Sequence, residues 1–201
     1  MNTGLARLLP LIGLTFAATA ATVLPVGLQR LYLDAELAFH GRCIANQVQR
    51  DEATDMIVTY TTFQVLETLK GPRLLTHTIK QIGGALPGAP ITTTVHGIPR
   101  FEEGKEYVLF IPPPSELGFS SPVALGQGRF QIMGGAERRA TITNGRDINE
   151  LLSDVAPHCV PPRVQAAISL SRSLEPLALK TRSGMDLEDF LSMVRGMEDT
   201  R

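Results

Sequence analysis

The chain has no excess charge of either sign: 19 Lys and Arg stand against 20 Asp and Glu, a formal net charge of -1 over 201 residues. Nucleic-acid binding needs clustered Lys and Arg to neutralise phosphates, so this balance excludes DNA and RNA as partners. It also leaves no basic amphipathic face for anionic lipid. Cysteine is scarce, with Cys43 and Cys159 alone, which excludes a dense disulfide framework and a cysteine-rich metal site. The four histidines, His40, His77, His96 and His158, form no His-Glu-x-x-His and no two-ligand spacing on one helix. No spacing requires a metal or a cofactor.

Catalytic signatures are missing as well. Gly118-Phe119-Ser120-Ser121-Pro122 departs from the Gly-x-Ser-x-Gly elbow, because Pro122 replaces the last glycine. Lys70, Lys80, Lys105 and Lys180 all lack a serine three residues earlier. Gly104-Lys105 lacks the upstream glycine of a phosphate loop, and Gly83-Gly84 with Pro87-Gly88 marks turns. Glu102, Glu103 and Glu106 read as a solvated turn beside Arg100 and Lys105. Acid–base work would need one of these carboxylates raised in pKa by burial.

What is there begins with an export pattern. Arg7 precedes the apolar run Leu8–Phe16, and the small residues Ala17-Ala18-Thr19-Ala20 follow. Basic start, apolar centre and small-x-small site describe a secretory signal peptide over residues 1–20, cleaved after Ala20. Pro10, Gly13, Pro25 and Gly27 speak against an uncleaved membrane anchor. Loss of Arg7 takes the mature chain to about -2. The expected location is the periplasm or the medium. Roughly 180 residues remain, enough for one domain burying about 70% of its unfolded surface. In an oxidising compartment Cys43 and Cys159 either pair as a disulfide, contributing on the order of 4–5 kcal/mol, or stay as two buried thiols.

The mature chain reads as mainly β. A short helix or turn over 24–36 leads into a strand in which Phe39, Gly41, Cys43 and Ala45 share a face. Ile57–Leu69 is dense in β-branched and aromatic residues and stops at Lys70-Gly71-Pro72. Further strands are expected at 77–82, 91–96, 107–111, 126–133 and 139–143. Tyr107–Ile111, apolar on both faces, is expected to be central. About seven short strands with frequent turns imply a small barrel or sandwich. Beyond residue 145, Ile148, Leu151, Leu152 and Val155 predict a helix after Asp147. Residues 156–184 read as irregular. Leu187, Phe190, Leu191 and Val194 predict a last helix capped by Asp186 and packed on the strands.

Two stretches, Thr62-Phe63-Gln64-Val65-Leu66-Glu67-Thr68-Leu69-Lys70-Gly71 and Phe101-Glu102-Glu103-Gly104-Lys105-Glu106-Tyr107-Val108-Leu109-Phe110, together with Phe39-His40-Gly41-Arg42, resemble the netrin-like family. That family includes the tissue inhibitors of metalloproteinases, and the chain also looks like exported bacterial proteins. The resemblance spans Leu37 to Met133. It implies an OB-like barrel over 21–145 and a helical extension over 146–201. The inhibitors present a mature N-terminal Cys to the protease zinc. Here the first Cys is Cys43, inside a strand, so that mechanism does not transfer.

The function these features imply is an exported binding or interaction module with no catalytic residues, whose partner is an extracytoplasmic protein. A loop-mediated inhibitor of a secreted protease and an envelope enzyme with a hidden site are the alternatives. The loops over 83–90 and 112–122 are the candidate contact regions, with Leu86, Leu117, Phe119 and Ser120 as candidate binding residues.

Overall fold

The computed structural model describes residues 24–88, 90, 92–135, 138–174 and 184–198. The expected signal peptide at 1–20 lies outside them. The chain runs α1 (Leu28–Asp34), β1 (Leu37–Arg50), β2 (Ile57–Lys70), β3 (Thr76–Ile82), β4 (Gly84–Ala85), β5 (Thr92–Thr93), β6 (Glu106–Ile111), β7 (Arg129–Gly135) and β8 (Arg138–Thr143). It ends with α2 (Ile148–Leu151), α3 (Pro162–Leu174), β9 (Met185–Asp186) and α4 (Leu187–Gly196). No helix among the described residues is long and apolar enough to cross a membrane.

Mainly β is the outcome, but the closed barrel is not. Seven strands form one antiparallel sheet in the order β3-β2-β1-β6-β7-β8-β9, with β3 and β9 as its edges, and β4 and β5 form a separate pair. β6 lies at the middle of that order, as its two apolar faces require. Tyr107, Leu109 and Ile111 point into one core with Phe39, Cys43, Phe63 and Ile79, an aromatic face. Val108 and Phe110 point into the other, beneath α1, α2 and α4, a helix-covered face. All five strand residues from Tyr107 to Ile111 are at most 3% exposed.

The aromatic face is built from edge-on ring contacts. Phe63 meets Phe101 at 5.0 Å, and Phe101 meets Tyr107 at 5.2 Å. Such contacts add about 0.5–1.5 kcal/mol each beyond the area they bury. On the helix-covered face, Phe130 lies 4.7 Å from Phe190 of α4. The apolar stripe of the last helix packs on the sheet, and Asp186 accepts from the backbone N–H of Glu188 and Asp189 as its N-cap. Asp147 caps α2 in the same way.

The helix-covered core spans the expected boundary at 145/146 without a break. Met185–Asp186 even adds a strand to the main sheet. Two other expectations are corrected. The strand at 91–96 shrinks to Thr92–Thr93. The irregular stretch after 156 contains α3, because Pro162 sits at the start of the helix, where its missing N–H and fixed φ are tolerated.

Cys43 and Cys159 are not joined in a disulfide. Cys43 sits in the aromatic core, whereas Cys159 packs with the helix-covered core, its Sγ 3.5 Å from the Gly196 carbonyl. Burial first, then the nearby Glu103 carboxylate, push the Cys43 thiol up. It is kept protonated and unreactive.

Candidate functional site

A bulge in β1 creates the site. Cys43 pairs with Phe63 and Ala45 with Thr62, so Ile44 is an extra residue on β1. Side-chain alternation therefore slips by one. Asn46 and Val48, opposite Thr61 and Thr59, continue the aromatic face in place of Ala45. Gln81 on β3 stands opposite Thr59 and extends the row. Beyond Phe63 the face therefore turns from aromatic to neutral polar.

The described residues between Gly83 and Phe101 fold back over this row and leave a cleft of about 260 Å³. Asn46, Val48, Thr59, Thr61 and Gln81 form one wall, and Gly83–Ala85, Thr93, Val95 and Ile98–Phe101 form the other. Two glycines permit the fold-back. Gly83 has φ +96°, and a Cβ there would sit 2.6 Å from the Thr93 carbonyl oxygen. At Gly84, φ +139°, a Cβ would meet Val48 at 2.6 Å and the Thr59 hydroxyl at 2.7 Å.

The wall is rigid because its polar groups are tied to one another. The Thr61 hydroxyl donates to Asn46 Oδ1 at 2.8 Å, and Asn46 Nδ2 donates to the Phe101 carbonyl at 3.0 Å. The Thr59 hydroxyl donates to the Gly83 carbonyl at 2.6 Å. Gln81 Nε2 donates to Ser121 Oγ at 3.3 Å. Arg100 supplies the one charge among the described lining residues.

Beside the cleft, the 112–122 loop hooks over the edge of β3. Ser120 N–H donates to the Lys80 carbonyl at 2.9 Å, and Ser121 reaches Gln81 on the cleft side. On the opposite face Lys80 Nζ donates to the Leu117 carbonyl at 3.0 Å and lies 4.6 Å from the centre of the Phe119 ring. The same ammonium pairs with Asp51 Oδ2 at 2.6 Å, both side chains nearly enclosed. The Lys80 hydrogen bond, against the opposing effect of burial, holds the Asp51 carboxyl below its ordinary range. The loop is a clasp over a sheet edge.

The four expected binding residues meet different fates. Leu117 is 54% exposed at the clasp tip. Phe119 is half-buried under Lys80, and Ser120 is buried in the clasp itself. Leu86 is half-buried in the turn after β4 and is not among the residues lining the cleft. Their two loops flank β3 and so the cleft, but the four side chains do not line it. Asn46, Thr59, Thr61, Gln81 and Arg100 line the cleft but were not expected as binding residues. Only the Gly83-Gly84 pair signalled the place.

The histidines do not converge. His40 Nε2 lies 3.0 Å from Glu106 Oε2, and Arg42 Nη2 donates to Glu106 Oε1 at 2.6 Å. Burial acts upward on Glu106, but these two partners outweigh it and lower its pKa. His77 packs edge-on against Phe39 at 5.7 Å, whereas His96 is exposed in a turn. None of the three lines the cleft. Among the described residues no group of three or more His, Cys, Asp or Glu is placed to hold a metal ion. No protein-family model matches the chain, and no curated protein matches it significantly.

Proposed function

We propose that this chain is an exported binding module that holds a small polar ligand in the cleft between the β1-β2-β3 face and the 83–101 segment. The observation that carries the reading is the cleft itself. It is a concave space walled by fixed neutral polar side chains on strands, with apolar surface beside them and one cation at the rim. Preformed sites for small molecules likewise combine apolar surface with a few fixed polar groups. The leader pattern at 1–20 supports export to the periplasm or the medium.

An OB- or netrin-like ancestry remains part of the proposal. The order β3-β2-β1-β6-β7 supports it, since OB folds are small, partly open Greek-key barrels that bind ligands on a sheet face and adjoining loops. Here the β6–β7 connection, and no strand pairing, reaches across to β3.

Amide chemical-shift mapping with a panel of sugars, sugar acids, amino acids, dipeptides and nucleosides tests the reading. At least one class is expected to shift the amides of Thr59, Thr61, Gln81 and Gly83. Ala85→Trp, which fills the cleft from an exposed position, is expected to abolish the response. If the responses map elsewhere, or no class moves these amides, the reading is wrong.

A further inference from the structure

The hydrogen-bond polarity of the cleft narrows the ligand, given the binding reading above. The hydroxyl protons of Thr59 and Thr61 are committed to the Gly83 carbonyl and to Asn46 Oδ1. A hydroxyl that has donated keeps only lone pairs for a ligand. Asn46 has no N–H to spare, since Nδ2 donates to the Phe101 carbonyl and also faces Cys43 Sγ at 3.7 Å. Gln81 apart, whose Nε2 gives one N–H to Ser121 and keeps the other, the inner wall therefore offers acceptors, and a ligand must bring donors to Thr59, Thr61 and Asn46.

Those donors are neutral. Among the described residues no acidic side chain lines the cleft, and an ammonium held there would be desolvated without a counter-charge. Hydroxyl groups satisfy the wall without that cost. The rim has the opposite character. Arg100 is exposed, and among the described residues its guanidinium donates only to Thr94 Oγ1, at 3.2 Å. Its fork suits a carboxylate bound through two parallel hydrogen bonds. Val48, Val95 and Ile98 add apolar wall for a ring's C–H face. At about 260 Å³ the space lies just below the range typical of drug-sized ligands, which fits one sugar ring.

We infer that the ligand is a sugar acid, with ring hydroxyls on Thr59 and Thr61 and its carboxylate on Arg100. The test titrates the purified protein with D-glucuronate, D-glucose and acetate, following the amides of Thr59, Thr61, Gln81 and Gly83. Glucuronate is expected to bind at least about tenfold more tightly than glucose, the worth of one charge-assisted contact. Arg100→Gln is expected to remove that difference by weakening glucuronate while leaving glucose unchanged. Thr61→Val is expected to weaken both sugars by a similar factor.

Equal binding of glucose and glucuronate by the native protein would overturn the inference and leave the cleft reading standing. Acetate binding as tightly as glucuronate would also overturn it, since the site would then read charge alone. If neither sugar moves these amides while an amino acid or nucleoside does, the inference fails and the binding reading survives. Silence from the whole panel removes both.

Discussion

His77 carries its ring into an aromatic corner. Its Nε2 is enclosed without a hydrogen-bond partner among the described residues, and Phe39 packs against it. Burial lowers its pKa below the ordinary 6.5. The unfolded chain thus takes up the proton first as pH falls. Stability from keeping the ring neutral is complete above about pH 6.5 and is lost as pH falls through the folded value. Thermal unfolding between pH 7.5 and 5 is expected to show this loss in the native protein and a flatter profile in His77→Phe. Parallel profiles would reject the assignment. The core residues make a simpler prediction. Leu109 is fully buried on the aromatic face, so Leu109→Ala is expected to cost about 2–5 kcal/mol in chemical denaturation. Leu109 was legible from sequence, because both parities of Tyr107–Ile111 are apolar. Thr61, 1% exposed, was not. Its role depends on Asn46, and simple alternation from Phe39 put Ala45 on the inner face instead of Asn46. One bulged residue, Ile44, separates the two patterns, and nothing in the local composition marks it.

Single elements here are held by groups distant in sequence. The N-cap of α1 is Gly27, which has no side chain, and Asp154 supplies the missing acceptors to the N–H groups of Gln29 and Arg30 at 3.1 and 2.9 Å. At the other end Lys70 Nζ donates to the carbonyls of Tyr32 and Ala35, which suits the negative end of a helix. Asp154→Ala is expected to destabilise by about 0.5–2 kcal/mol, the worth of an N-cap. Circular dichroism melts would check it, and an unchanged melting point would show that α1 needs no cap. The clasp obeys a similar logic. Lys80 joins the hairpin turn at Asp51 to the loop at Leu117 and Phe119. Asp51 titrates below its ordinary 3.8, so its contribution is complete above about pH 4 and is lost as pH falls through the lowered folded value. Asp51→Asn is expected to lose stability at neutral pH and to show less further loss on acidification. A double-mutant cycle for Asp51 and Lys80 should give a larger coupling than the exposed Arg50–Asp55 pair, which is worth under about 1 kcal/mol. The starts of α2 and α4 and the strand centres could be read from sequence, because the Asp147 and Asp186 caps and the apolar periodicity are local. The clasp could not, since its partners meet only through the fold.

At the scale of the molecule, the sheet separates two cores, and its helix-covered side decides whether the chain is one cooperative unit. A domain ending at residue 145 would leave Phe110, Phe130 and Ile142 facing water, because Leu151, Leu152, Phe190, Leu191 and Val194 cover them. Each fully buried side chain of this kind contributes about 1.5–3 kcal/mol. Losing three from α4 alone would remove a large share of the roughly 5–15 kcal/mol that keeps a domain folded. β9 adds backbone pairing at Thr141 and Ile142 to the same attachment. A chain truncated after Asn144 is therefore expected to lack a cooperative thermal transition and to bind a hydrophobic dye. The full chain is expected to unfold in one step, with fluorescence and circular dichroism coinciding. Should the truncated chain fold with the full chain's melting point, the C-terminal helices would be an appendage, and the boundary suggested by the change of sequence pattern at 145 would be physical. The shared core argues for the first outcome. The cleft lies on the opposite face of the sheet from these helices, and none of their residues lines it.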